Sequence, residues 1–221
     1  MSDSVTRWLL RCGVVAGPVF VAAFLVDGAT RPGYQPRRHP VSSLALGDRG
    51  WTQVTNFAVT GALYAAGAAG LSRSGGPGAG LAGATAAGAT AAGLLGAAAF
   101  TTDPVSGYPP GSPDAPERPS REGTAHNLTS AGVFLGIPAA ALAVAARALR
   151  SGQPGWGLYS AGTAVSVLAT TGAAGAGFSQ SPRLVGVAGL FQRVSIVIGF
   201  TWLTALAGRS LRELGRGARS R

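Results

Sequence analysis

Residues 9–26 read LLRCGVVAGPVFVAAFLV, eighteen positions whose only charge is Arg11, near the start. The hydrocarbon core of a bilayer is about 30 Å thick and needs roughly 20 mostly apolar residues as helix. This stretch comes close to that length, and it is not alone. Residues 52–71, 78–100, 125–146, 155–178 and 184–207 have the same character, and none of the six contains Lys, Asp or Glu. The expected fold is therefore an all-α polytopic membrane bundle. It has six transmembrane helices in one domain spanning residues 1–221, and residues 208–221 form a basic tail. Residues 9–26 could also be read as a signal peptide. Five further spans follow, and no small-x-small cleavage site precedes residue 27, so a retained first helix is expected.

Composition agrees. Only 12% of the 221 residues are charged and 47% are hydrophobic, against about 25% charged in an ordinary soluble domain. All 18 basic residues are Arg. With abundant Ala and Gly, that points to high-GC coding rather than to a nucleic-acid surface. The net charge of +10 comes without the basic stripe and interleaved aromatics that RNA or single strands require, so nucleic acid is excluded as a partner. Cys12 is the one cysteine. It can form no internal disulfide and reads as a small buried side chain.

Spans three and five draw little hydropathy from Ala and Gly. The run GATAAGATAAG within span three predicts a helix packed in the bundle centre, where small residues let backbones approach. Pro18 and Pro138 fall inside spans one and four, where each removes a backbone donor. With six spans both termini share a side. That side carries ten arginines, the other carries seven, and Arg193 falls within span six. The positive-inside rule then places both ends in the cytoplasm of a cytoplasmic-membrane protein. The two long connections, 27–51 and 101–124, become two outer loops on one face. Both are stiffened by proline, while 112–122 has no aromatic and reads as mobile.

The outer face holds the candidate chemistry. Asp103 and His126 bracket the second loop, and Arg38 and His39 stand in the first. His39, Asp103 and His126 are the candidate catalytic set, because a His beside a carboxylate can act as a general base. Asp103, before Pro104, also suits the capping of a turn, and His126 that of a helix start. Three such ligands fall short of a metal set, so neither metal nor cofactor is implied. No Gly-x-Ser-x-Gly elbow, phosphate loop, dinucleotide fingerprint or zincin motif is present. Candidate ligand-binding residues are Tyr34, Arg38, Ser42, Gln53, Asn56, Tyr108, Ser130, Gln192 and Arg193. Gln53 and Asn56 share a helix face, and Gln192 with Arg193 lies in the outer third of span six. A polar group there must face the bundle interior or water, and Arg193 is expected to pair with Asp27 or Asp103. A polar mouth on an apolar body suits an amphiphile.

The segment GYQPRRHPVSSLALGDRGWTQVTNFAVTG resembles the first loop and second helix of a bacterial six-helix membrane family known only as a domain of unknown function, number 998. Its pattern of Gly-Tyr, a spacer, Arg-His-Pro-x-Ser, then Gly-Trp before an Asn-Phe helix is met by Gly33, Tyr34, Arg38, His39, Pro40, Ser42, Gly50, Trp51, Asn56 and Phe57. FTTDPVSGYPPG, followed by His126 and Ser130, is similar to the family's second outer motif. Some members carry an acidic residue where this chain has Ser43, which takes away one candidate ligand. The resemblance implies a six-helix membrane fold and is silent on activity. Three functions remain open: binding or handling a lipid or lipophilic small molecule in an outward-facing pocket; an intramembrane enzyme using acid/base chemistry on such a substrate, an isoprenoid for example; and a structural subunit of a transporter. A membrane-protein partner or homo-oligomer fits the small-residue helices.

Overall fold

The computed structural model describes residues 3–74 and 80–217. Six long helices account for most of them: α1 Asp3–Thr30, α2 Gly50–Arg73, α3 Gly80–Ala99, α4 Arg121–Arg150, α5 Pro154–Phe178 and α6 Ala188–Gly217. No strand occurs among the described residues. Short 3₁₀ turns lie at Val41–Ala45 and Val185–Val187. α1 and α4 run unbroken through Pro18 and Pro138. Five helices, all but α5, are long and apolar enough to cross a membrane. The chain is a multi-pass membrane protein, because a bilayer leaves no water for unpaired backbone groups and helices pair their own.

Each helix packs against its neighbours in sequence, and α6 returns to α1, closing a ring. α6 also touches α2, α3 and α4, so it is the helix that meets all the others. The expectation that the Ala/Gly-rich α3 occupies the centre is corrected here. Leu81 and, within the run itself, Thr85 and Ala92 are exposed, and its small residues serve two flanks rather than every side. A Cβ on Gly93 would meet Val133, and one on Gly61 would meet Leu95, so glycine sets the α3–α4 and α2–α3 approaches. Backbone meets backbone where α1 crosses α2: a Cβ on Gly67 would stand 2.8 Å from the Gly13 Cα.

The centre is aromatic. Phe20 lies 5.7 Å from Phe24, 5.8 Å from Phe57 and 5.3 Å from Phe200, centroid to centroid. Phe200 in turn meets Tyr64 at 5.1 Å. Trp202, fully buried, donates its indole N–H to Ser160 at 3.0 Å and ties α6 to α5.

α1, α2 and α4 overrun the spans read from hydropathy at both ends, and α6 does so at its C-terminal end, since a helix continues past the hydrocarbon edge while its backbone bonds do. α3 stops at Ala99 and α6 starts at Ala188, short of the expected 100 and 184. The first ten residues of the expected tail, 208–217, continue α6. The expected start of span three at Gly78 and the arginines at 219 and 221 lie outside the described residues. The starts of α2, α4 and α6 meet the ends of α1, α3 and α5 at one end of the bundle. There the 31–49 and 100–120 segments interlock. Tyr108 packs against Tyr34 at 5.2 Å and His39 at 5.1 Å, and Arg38 pairs with Asp114 at 2.7 Å. Residues 112–114, expected to be mobile, are tied down: Ser106 N–H donates to the Asp114 carbonyl at 2.7 Å, and so does the Gln180 amide at 2.9 Å.

Candidate functional site

The loop end carries two distinct polar assemblies. The first is a knot that fastens the 33–44 segment to the bundle. Arg193, 8% exposed, donates from Nη1 to the carbonyls of Pro36, His39 (2.9 Å) and Gly189 (2.9 Å), and from Nη2 to the Tyr34 hydroxyl. Its guanidinium also lies 5.7 Å from the Phe24 ring centroid and 5.5 Å from that of Tyr34. No carboxylate pairs with it, contrary to expectation. Asp27 is taken by Arg31 at 2.7 Å and Arg49 at 2.9 Å, and Asp103 by the Ser120 N–H at 3.0 Å. A planar guanidinium with five donors can be satisfied by several carbonyls at once, and the folded loop presents them. Gly189 makes room, because a Cβ there would strike the His39 and Pro36 carbonyls.

Tyr34 passes the bond on, its hydroxyl donating to the Pro40 carbonyl at 2.8 Å. Burial pushes its pKa up to about 12, although Arg193 beside it pulls the other way. His39, 4% exposed, has both ring nitrogens engaged: Nδ1 accepts from the Gln35 N–H at 2.9 Å, and Nε2 donates to the Ser106 carbonyl at 3.2 Å. That fixes its tautomer. Burial holds its pKa below the ordinary value, and Arg38 and Arg193 add to the effect, while the Ser106 bond opposes it. Asp103 caps the approach to α4, where the Ser120 hydroxyl accepts from the Gly123 N–H at 2.8 Å. Gln53 and Asn56 both face inward: the Asn56 amide donates to the Phe20 carbonyl at 3.2 Å and to Gln53 Oε1 at 3.3 Å.

The second assembly is a cavity of about 320 Å³ between α4 and α6, roofed by the 3₁₀ turn. Its apolar wall includes Phe20, Phe57, Phe134, Ile196 and Phe200. Its polar lining is Ser42, His126, Asn127, Ser130, Thr171 and Gln192, and no Asp, Glu, Lys or Arg is among the lining residues. His126, 3% exposed, has Nδ1 on the Phe100 carbonyl at 2.9 Å. A carbonyl only accepts, so the proton is on Nδ1, and neutral imidazole then carries its lone pair on Nε2. Gln192 Oε1 accepts from the Val41 N–H at 2.8 Å, which leaves its NH₂ as donor. Thr171 and Ser195 share a hydroxyl bond of 2.7 Å. Leu135, 59% exposed, and Asn127 stand at the mouth, on the outward side of α4. A smaller cavity of about 160 Å³ shares Phe134, Thr171 and Gln192 and reaches Phe178.

Of the residues expected from sequence, Ser42, His126, Ser130 and Gln192 line the cavity. Tyr34, His39, Tyr108 and Arg193 meet in the knot. Arg38 pairs at its edge, Asp103 accepts from the N–H of Ser120, the residue that caps α4, and Gln53 and Asn56 join α2 to α1. His39, Asp103 and His126 therefore do not converge. Among the described residues no three His, Cys, Asp or Glu side chains come together to hold a metal. Sequence reasoning passed over Asn127, Thr171 and the aromatic wall. Asn127 stands between His126 and Ser130, and that polar run at a span's start was its signal. Thr171 and the phenylalanines carry none, since Thr commonly bonds its own helix.

The family model described as Protein of unknown function (DUF998) matches residues 14–209. The chain belongs to that family. The matched part of this DUF998 chain contains both assemblies. No curated protein and no solved structure matches it.

Proposed function

We propose that this DUF998 chain binds a lipophilic molecule of the surrounding membrane in the cavity between α4 and α6. The observation that carries the reading is the cavity itself. It is mostly apolar, lined by a few polar groups, and within the usual size range of small-molecule sites. Its mouth is bordered by Leu135 on a helix face turned toward lipid. The knot is a positioning device in this reading: Arg193 holds the loop whose Val41 and Ser42 form the roof.

In the same reading α5 is a sixth span. Its 25 residues extend ~37 Å at 1.5 Å per residue. Leu158, Val165 and Leu168 make an exposed apolar stripe at helical spacing. Exposed Trp8 and Trp51 mark opposite interfaces. The arginine balance supports an orientation with the termini in the cytoplasm and the loop end outside the cytoplasmic membrane.

An enzymatic reading has one observation in its favour, the open Nε2 of His126 one helical turn from Ser130. His39 and Asp103 would not share that chemistry, since their polar atoms are engaged elsewhere. The test is to purify the full chain in lipid nanodiscs and identify retained molecules by mass spectrometry. A lipophile enriched over bulk lipid, and lost in Phe134→Trp, which fills the cavity, is the expected result. No enrichment in the wild type, or enrichment that Phe134→Trp leaves unchanged, rejects the reading.

A further inference from the structure

The polar end of the ligand can be read from which wall atoms have partners and which do not. In the cavity lining, Gln192 Oε1 is spent on the Val41 N–H, and His126 Nδ1 on the Phe100 carbonyl. Opposite these anchors each side chain offers one open group: His126 Nε2 as acceptor and the Gln192 NH₂ as donor. The Ser130 hydroxyl, which can do either, lies one turn of α4 beyond His126. The anchors keep these groups from turning away. His126 is 3% exposed, and its Nε2 is not among the buried side-chain atoms left without a partner, so the little surface the ring keeps lies in the cavity wall, where a ligand hydroxyl takes the place of solvent.

Charge is the second criterion. The nearest guanidinium along α6, Arg193, is turned into the loop carbonyls. Asp103, whose charge reaches His126, accepts from the Ser120 amide and is not among the lining residues. An ionised carboxylate, phosphate or ammonium in this lining would lose its hydration without gaining a counter-charge. A hydroxyl loses little and finds both a donor and an acceptor.

Building on the binding reading above, we infer that the cavity selects an uncharged, hydroxyl-bearing lipophile whose O–H donates to His126 Nε2 and whose oxygen accepts from the Gln192 or Ser130 side chain. The probes are oleyl alcohol, oleic acid and oleylamine, which share a tail and differ in the polar end. Each is offered to the full chain in dodecyl maltoside at pH 7.5 and scored by native mass spectrometry and melting temperature. The alcohol is retained about tenfold better than the acid or the amine, a difference of about 1.4 kcal/mol. In His126→Asn the amide nitrogen can keep the Phe100 bond while the Nε2 acceptor is gone; the melting temperature without ligand stays near wild type, and the alcohol's advantage disappears. Should His126→Asn not fold, the three probes on the wild-type chain still decide. Equal retention of all three, or preference for either charged probe, overturns the inference and leaves the binding reading standing. Retention of none, or retention that Phe134→Trp does not reduce, overturns the binding reading itself.

Discussion

Arg193→Met tests the knot. Met matches the apolar stem and removes every donor. The Pro36 and His39 carbonyls lose the guanidinium, as does the Tyr34 hydroxyl, whereas the Gly189 carbonyl lies within α6. Two opposing terms set the outcome. Leaving a buried acceptor unsatisfied costs about 1–3 kcal/mol; the His39 carbonyl is buried and keeps only a long 3.4 Å bond from the Tyr34 hydroxyl, whereas the Pro36 carbonyl belongs to an exposed residue. Removing a buried cation that has no counter-ion returns part of that, because exchanging buried ionic groups for apolar ones is often neutral or stabilising. Here the His39 carbonyl and the Tyr34 hydroxyl remain buried after the exchange, so the first term wins, with a net loss of about 1.4 kcal/mol, roughly tenfold in the unfolding equilibrium. Arg193→Lys keeps the charge but replaces a planar fork by one nitrogen, and loses about half as much. Reversible unfolding in mixed micelles, titrated with SDS, gives both numbers. The roof is affected as well: Val41 hangs between this loop and Gln192, so retention of a cavity ligand falls with stability. An Arg193→Met chain within 0.5 kcal/mol of wild type, or a more stable one, would refute the reasoning, since the loop carbonyls would then not depend on the guanidinium.

Asp27→Asn leaves Arg31, 8% exposed, without a counter-charge, and the same titration should lose about 2–4 kcal/mol. Arg49→Gln removes the partly exposed half of that cluster, where the Arg49 side chain is 45% exposed, and costs at most about 1 kcal/mol. His39 has a folded pKa below its ordinary 6.5, so the unfolded chain takes up the proton first. Stability contributed by neutral His39 is present above pH 6.5 and is lost as pH falls through that value toward the folded pKa. Melting temperatures taken from pH 7.5 to 5.5 should drop, and drop less in His39→Gln. Gly67→Leu drives a side chain into the Gly13 backbone and should cost about 1–3 kcal/mol, or more if the helices cannot separate. In a Cys12→Ala background, a cysteine at exposed residue 115 should react with an impermeant maleimide on whole cells, while one at exposed residue 151 should not; the opposite pattern would invert the proposed orientation.

Hydropathy and charge along the chain were enough to identify its solvent. A run of about 20 apolar residues has few stable places other than a bilayer, and that logic holds for residues 9–26 without any knowledge of their neighbours. It also located two proline-stiffened loops and the polar residues worth watching. α5 falls short in a sum over side chains because Gly, Ala, Ser and Thr lower its hydropathy; its exposed Leu and Val stripe is what supports the proposal that it spans too. Partners are a different kind of quantity. Arg193 needed acceptors, and charge alone suggested a carboxylate. Folded, the chain supplies backbone carbonyls from about 150 residues away, and backbone carbonyls are identical at every position of a sequence. The cavity is likewise a gap between α4 and α6, formed where Ser42, His126, Thr171 and Gln192 converge. Only ring closure, with α6 packed against α1, brings those four together. It also separates His126 from His39, two residues alike in a sequence and placed in different assemblies by the packing of helices.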